Sequence, residues 1–224
     1  MTSLDQRFSR IRAALATAAC QRPVQLLAVS KTQPAAAVRA LAALGQRAFG
    51  ENYVQEAQAK QRELADLDLE WHLIGPLQSN KCREAATRFD WVQTIDREKL
   101  IPLLAKFRPT DKSVLNLLVQ VNIDDEASKS GCAAEEIDAL ADAIAAQPRL
   151  RLRGLMAIPQ PTSDPARRRD AFGRMRELFD RTRARHAQVD TLSMGMSDDF
   201  VDAIAEGANL VRIGSALFGP RNTT

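Results

Sequence analysis

Cysteine is scarce in this chain: Cys20, Cys82 and Cys132 are odd in number, far apart and without CxxC spacing. They can build neither a disulfide framework nor a zinc site, and each reads as a small buried apolar residue. The two histidines, His72 and His186, show no metal-ligand spacing and adjoin no serine or cysteine nucleophile, so neither a metal centre nor a catalytic triad is expected. Structural roles are expected for both. No apolar run approaches the roughly 18 residues of a membrane span. The opening residues, MTSLDQRFSRIRAAL, are a charged amphipathic pattern rather than a signal peptide, which sets the expectation of a cytoplasmic protein. The dinucleotide fingerprint GxGxxG is missing after the first apolar run, where VSKTQP stands instead. Low-complexity tracts are missing too, and the proline-rich segment Pro159–Pro165 is too short to divide domains.

What is present is ordinary soluble composition, 45% apolar and 26% charged, in 224 residues, a length that one barrel domain fills by itself. One domain over residues 1–224, and a monomer, are therefore expected. The formal charge of +3 does not call for nucleic acid. Eight arginines do gather between Arg167 and Arg185. Phe172, Met175 and Phe179 recur there at helical spacing, so the segment predicts an amphipathic helix. Stacking aromatics are not interleaved with the arginines, which favours a solvated helix face over an RNA-binding stripe.

Ser3 and Gln6 form a capping-box pattern, and Leu4, Phe8, Ile11 and Leu15 mark one face of a first helix running towards Cys20. A unit then repeats: a short run of branched apolar residues, a polar turn, a helical stretch. Strands are predicted at Val24–Val29, Ala48–Gly50, Trp71–Ile74, Trp91–Thr94, Val114–Val121, Leu150–Ala157, Thr191–Ser193 and Leu210–Ile213. Helix starts are predicted at Pro34, Asn80, Asp96 and Ser197, with Gly45 and Gly207 as C-terminal caps. Eight such alternations predict an α/β fold, a single-domain (β/α)8 TIM barrel with an extra N-terminal helix; an open doubly wound sheet competes but lacks its fingerprint.

In such a barrel the functional residues sit at the C-terminal ends of the strands. Lys31 directly follows VQLLAVS and is placed at the mouth. A partly desolvated lysine becomes a usable amine nucleophile for an aldehyde or ketone; alternatively its stem covers the strand end while its ammonium reaches water. In VRIGSALFG, Gly214 and Ser215 open a short helix where loops of this fold bind phosphate. Ser197 either adds a hydroxyl there or merely caps a helix. Arg212, inside the last strand, is costly unless paired, either with a ligand ring nitrogen, as in some pyridoxal phosphate enzymes, or with a barrel carboxylate such as Glu51. An arginine keeps its proton, so a ring nitrogen opposite it stays unprotonated. Asn52 and Asn122 lie at strand ends as ligand contacts or loop caps.

In order, the segments LLAVSKTQP, FGENYVQEA, WHLIGPLQSNK, TID, VNIDDEASKSG, RGLMAIP, LSMGMSDDF and VRIGSALFG run from Leu26 to Gly219. This set resembles the pyridoxal phosphate homeostasis protein family, single-domain relatives of the amino-terminal barrel of alanine racemase. The resemblance implies that Lys31 forms the internal aldimine with pyridoxal phosphate, that Ser197, Gly214 and Ser215 hold the phosphate, and that Arg212 faces the pyridine nitrogen. It further implies that Asn52 lies beside the ring, with Met156 and Ile74 as apolar neighbours. It implies a carrier that buffers the cofactor or delivers it to apo pyridoxal phosphate enzymes, without an established reaction. The alternative is a weak racemase or lyase on the same cofactor. Alanine racemase places a tyrosine from a second domain opposite its lysine; here the only tyrosine is Tyr53, in the FGENY turn, which does not match. A sugar-phosphate aldolase using Lys31 and an RNA-binding module rank below both.

Overall fold

The first turn forms where its capping box predicts: the Ser3 hydroxyl accepts from the Gln6 N–H at 3.2 Å, and the Gln6 side chain accepts from the Ser3 N–H at 2.9 Å. The computed structural model describes residues 3–126 and 130–219. Its elements run α1 (Leu4–Ala19), β1 (Gln25–Val29), α2 (Ala35–Ala43), β2 (Ala48–Glu51), α3 (Val54–Glu63), β3 (Glu70–Leu73) and α4 (Cys82–Arg88). Then follow β4 (Trp91–Ile95), α5 (Leu100–Phe107), β5 (Leu115–Val121), α6 (Ile137–Ala145), β6 (Leu150–Ala157), α7 (Pro165–Arg185), β7 (Thr191–Ser193), α8 (Phe200–Ala205), β8 (Leu210–Ile213) and α9 (Ser215–Phe218).

Each strand pairs in parallel with its neighbours in chain order, and β8 pairs back onto β1, closing an eight-stranded barrel. This is the predicted TIM barrel, with α1 added before the first strand and every predicted strand boundary within one residue of the observed one. At Gly154 two strands approach too closely for any side chain. Its φ is +147°, and a Cβ there would stand 2.0 Å from the Thr191 carbonyl oxygen on β7. Gly45 and Gly207 end α2 and α8 in the left-handed region, at φ +98° and +103°, as their cap positions require.

Three predicted helix starts are corrected. Asn80 lies inside a 3-10 turn, Ser79–Lys81, and α4 begins only at Cys82. After Asp96, α5 waits until Leu100; the Asp96 carboxylate pairs instead with Arg97. Ser197 does not cap α8: Asp199 occupies the N-cap position, and its carboxylate accepts from the Met196 N–H at 2.6 Å. In each case the chain must cross the barrel rim before it can turn down the outside, which takes several residues between strand and helix. Cys82 and Cys132 are buried as expected, but Cys20 is exposed, because it forms the left-handed C-cap of α1 at φ +45°.

Two regions carry the core. The larger lies between strands and helices, where Val38, Leu41, Phe49, Leu73, Leu104 and Phe172 have no exposed surface. The lumen is smaller and mixed. One apolar cluster joins Leu27, Ala48 and Leu210, another joins Trp91, Leu118 and Met156, and polar side chains lie among them. The arginines of α7 largely turn to intramolecular partners: Arg168 and Arg169 to Asp202, Arg174 to Asp170 and Asp124, Arg176 to Asp180, and Arg185 to Asp138 and Asp142. That is the arrangement of a solvated, ion-paired helix face.

Candidate functional site at the barrel mouth

The C-terminal ends of the strands surround a cavity of about 420 Å³, inside the roughly 300–1,000 Å³ range of small-molecule sites. Lys31, Asn52 and Ile74 line it from the ends of β1, β2 and β3. Ser197, Arg212, Gly214 and Ser215 line it from β8 and the turns around it. Seven of the eight residues that the resemblance assigns to the cofactor thus meet in one place. Met156 does not line the cavity; it is fully buried below, packed with Trp91 and Leu118. Met196 lines the mouth instead. Asn122 also stays out, its side chain bonding the backbone of Glu126 at both ends and so capping its own loop.

The turn carrying Lys31 is fastened from behind. The buried Lys60 ammonium of α3 donates to the Ser30 carbonyl at 2.6 Å, to Glu51 Oε1 at 2.7 Å and to Glu56 Oε1 at 2.7 Å. Ser30 Oγ donates to Glu51 Oε1 at 2.6 Å, and Glu56 Oε1 accepts from the Thr32 N–H at 2.5 Å. These bonds hold Thr32 at φ +64°, a left-handed conformation that is unfavourable for a β-branched residue and persists only where neighbours impose it. Burial pushes the Glu51 carboxyl up, against the opposing bonds from Lys60 and Ser30. This clamp escaped the sequence reading. Its one trace is that Lys60 continues the buried stripe Val54, Ala57, Lys60 along α3.

Gly75 sets Asn52. A Cβ at Gly75 would stand 2.2 Å from the Asn52 carbonyl oxygen, so any side chain would push the Asn52 backbone away from the wall. Thr94 Oγ donates to the Gly75 carbonyl at 2.8 Å and holds that turn in place. Across the mouth, Ser197 Oγ and Ser215 Oγ lie 3.2 Å apart, and Ser197 Oγ accepts from the Ala216 N–H at 3.4 Å. Two hydroxyls beside the first turn of α9 form a polar corner suited to an anion.

Arg212 is buried at the base of the cavity, its Nη2 donating to the Ala157 carbonyl and its Nη1 to Ser193 Oγ, both at 2.7 Å. Its pairing with Glu51, an alternative open in the sequence, is excluded. Gly50 faces the lumen against Leu27 and Ile74, so the next residue, Glu51, faces outward to Lys60. Burial pushes the Arg212 guanidinium down to about 10, with Asp199 acting in the opposite direction, so it remains cationic at neutral pH. Gln120, which also lines the cavity and donates to the Ser130 carbonyl at 3.0 Å, was not singled out. A polar residue near the C-terminal end of the run LNLLVQV, which otherwise breaks its apolar character only at Asn116, is the signal for it.

An amine at the rim, a polar corner opposite and a donor-only cation at the base together suit an anionic ligand with a carbonyl carbon and a ring acceptor. Comparison with known proteins gives the same direction. The family model described as alanine racemase, N-terminal domain, matches residues 3–222. The pyridoxal phosphate homeostasis protein of Pseudomonas aeruginosa is 57% identical over 227 residues, covering 99% of this chain and 97% of that protein. That of Escherichia coli K12 is 48% identical over 230 residues, covering 99% and 98%. PipY of Synechococcus elongatus, solved with PLP bound, is 38% identical and superposes with a TM-score of 0.86, covering 97% of this chain and all of PipY. By these likenesses the chain belongs to the alanine racemase N-terminal domain family and, within it, to the pyridoxal phosphate homeostasis proteins.

Proposed function

We propose that this chain binds pyridoxal phosphate in the mouth cavity, holds it through Lys31 as a Schiff base, and buffers or delivers it in vitamin B6 homeostasis. The whole barrel, residues 1–224, acts as one cytoplasmic, monomeric carrier, with apo pyridoxal phosphate enzymes as recipients. The observation that carries the reading is the convergence of Lys31, Arg212 and the Ser197–Ser215 pair on one cavity. The residues present fit the group. When bound, the cofactor supplies an aldehyde that condenses with a primary amine, releasing water, and a ring that accepts electrons.

Lys31 offers the amine. Ser197, Gly214 and Ser215 bind the phosphate, Asn52 contacts the ring edge, and Ile74 gives an apolar side; Met156 supports the floor one layer down. Arg212 donates to the ring nitrogen without surrendering its proton, which leaves the ring a weaker electron sink. Tyr53, 62% exposed, is not among the residues lining the cavity. A site without that second acid–base group deprotonates amino acids slowly, which supports a carrier over the weak racemase or lyase. Delivery to other enzymes is supported by the open mouth, and monomeric action by the few large apolar side chains exposed among the described residues: Leu44, Tyr53, Ile158 and Val201.

The test is borohydride reduction of the purified full chain after adding pyridoxal phosphate, followed by peptide mass mapping. A reduced adduct at Lys31 is expected, and its absence there overturns the reading. Exchange of α-hydrogen for deuterium in a panel of amino acids separates the two functions: slow exchange fits the carrier, multiple turnover the enzyme.

A further inference from the structure

A hydrogen-bonded chain of side chains runs through the barrel from mouth to floor, and nothing in the proposed function uses it. Arg212 Nη1 meets Ser193 Oγ at 2.7 Å, and Ser193 Oγ meets Gln93 Oε1 at 2.7 Å. Gln93 Nε2 meets His72 Nδ1 at 2.8 Å, and His72 Nε2 meets Glu70 Oε1 at 2.8 Å. Ser193, Gln93 and His72 have no exposed surface. Glu70 begins β3 at the opposite end of the barrel, half-buried, where Gln25 Nε2 also donates to it at 3.1 Å.

Chemistry gives the chain a single direction. An arginine only donates, so Ser193 Oγ accepts from it and must send its own proton onward. The acceptor is Gln93 Oε1, which fixes the amide with its Nε2 towards His72. That nitrogen only donates, so His72 Nδ1 carries no proton, and the ring proton sits on Nε2, facing the Glu70 carboxylate. Every link is set by the one before it. Burial pushes the His72 imidazole down, against the bond and the charge of Glu70. The other charged groups around it are Asp90 and Arg153, and the Trp91 ring stacks on it at 5.1 Å. A doubly protonated His72 could not accept from Gln93. The amide would then have to turn, and the Ser193 proton would lose its acceptor.

The neighbouring lumen clusters, Leu27 with Ala48 and Leu210, and Trp91 with Leu118 and Met156, fill the same barrel with hydrophobic side chains whose one N–H donor is the Trp91 indole. Stability therefore does not require a polar strip here, since a buried polar network is rarely worth more than apolar packing of equal volume. We propose that Ser193, Gln93, His72 and Glu70 are positioning residues for Arg212, fixing the guanidinium that meets the ligand and transmitting the state of the Glu70 end of the barrel to the mouth. This rests on the reading that pyridoxal phosphate occupies the cavity with its ring nitrogen at Arg212.

The experiment uses the full chain with ¹⁵N-labelled histidine, free and with pyridoxal phosphate added. In the free protein at neutral pH the His72 ring nitrogens report the neutral tautomer protonated at Nε2. They shift when pyridoxal phosphate binds, and they shift in free Glu70→Gln. Gln93→Leu keeps the borohydride-reducible adduct at Lys31 but weakens pyridoxal phosphate binding about tenfold, the scale of one bond to a charged group, and moves its absorption maximum. Ser193→Ala does the same and Ser193→Thr restores both, which keeps the test sound if Gln93→Leu fails to fold. The inference is overturned if His72 carries its proton on Nδ1 or on both nitrogens. It is also overturned if His72 ignores ligand in wild type, or if Ser193→Ala and Ser193→Thr match wild type. If wild type takes up no pyridoxal phosphate at Lys31, the functional reading fails instead. The tautomer and the Glu70→Gln response in free protein then still decide whether the chain transmits.

Discussion

Two buried cations stand on opposite sides of the barrel wall and are stabilised in opposite ways. Lys60, outside, is met by the carboxylates of Glu51 and Glu56 at 2.7 Å each. Arg212, inside, bonds a carbonyl and a serine hydroxyl, and its chain reaches a carboxylate only after three neutral side chains. The difference shows what each is for. A lysine locked between carboxylates holds a turn in place, whereas a guanidinium anchored by neutral groups keeps its charge available to a ligand.

The largest effect expected from this contrast is on Lys60. Lys60→Met leaves the buried Glu51 carboxylate unpaired and should cost about 3–5 kcal/mol of stability, read by urea unfolding. Arg212→Met leaves only neutral groups unsatisfied and should cost about 1–3 kcal/mol while weakening pyridoxal phosphate binding far more than Lys60→Met does in the folded fraction. Equal stability losses in the two variants would break the comparison.

The pH dependence of unfolding sharpens it. The folded protein keeps His72 neutral below its ordinary value, so the unfolded chain binds the extra proton. The resulting stability is present above about pH 6.5 and is lost as pH falls below it, by up to about 1.4 kcal/mol per unit. The raised Glu51 carboxyl acts in the reverse sense, losing stability as pH rises from about 4.5 through its folded value. The difference between wild type and His72→Gln in urea midpoints from pH 5 to 7 isolates the histidine and should shrink towards acid. The smallest effect belongs to Ser197→Ala. Because Asp199 and not Ser197 stands at the N-cap of α8, stability should change by less than about 0.5 kcal/mol, whereas a true cap would cost about 1. Binding of pyridoxal phosphate, followed by absorption, should nonetheless weaken.

The strands were legible because each is a short apolar run between turn residues, a signal that survives without knowledge of neighbours. Lys31, Gly214 and Ser215 were legible because the barrel rule places function at strand ends, and their positions along the chain suffice to apply it. Met156 sits one layer below the cavity, since chain position near a strand end does not say how deep a side chain sits; Met196, in the turn after β7, reaches the cavity instead. The pairing of Lys60 with Glu56 is a local i,i+4 pattern, but the partners that give Lys60 and Gln93 their roles, Glu51, Ser30 and His72, lie 9, 30 and 21 positions away, beyond any local pattern.

The sequence by itself determined the periodicity: which segments become strands, which become helices, and therefore that eight parallel units follow one another, because short apolar runs alternating with helical stretches are a local property of the chain. Only the tertiary structure decided which side of the wall each polar residue faces and which partner it meets there. Glu51 went outward to Lys60 and Arg212 inward to Ser193 because the pleat alternates faces residue by residue and barrel closure brings strands distant in sequence to hydrogen-bonding distance.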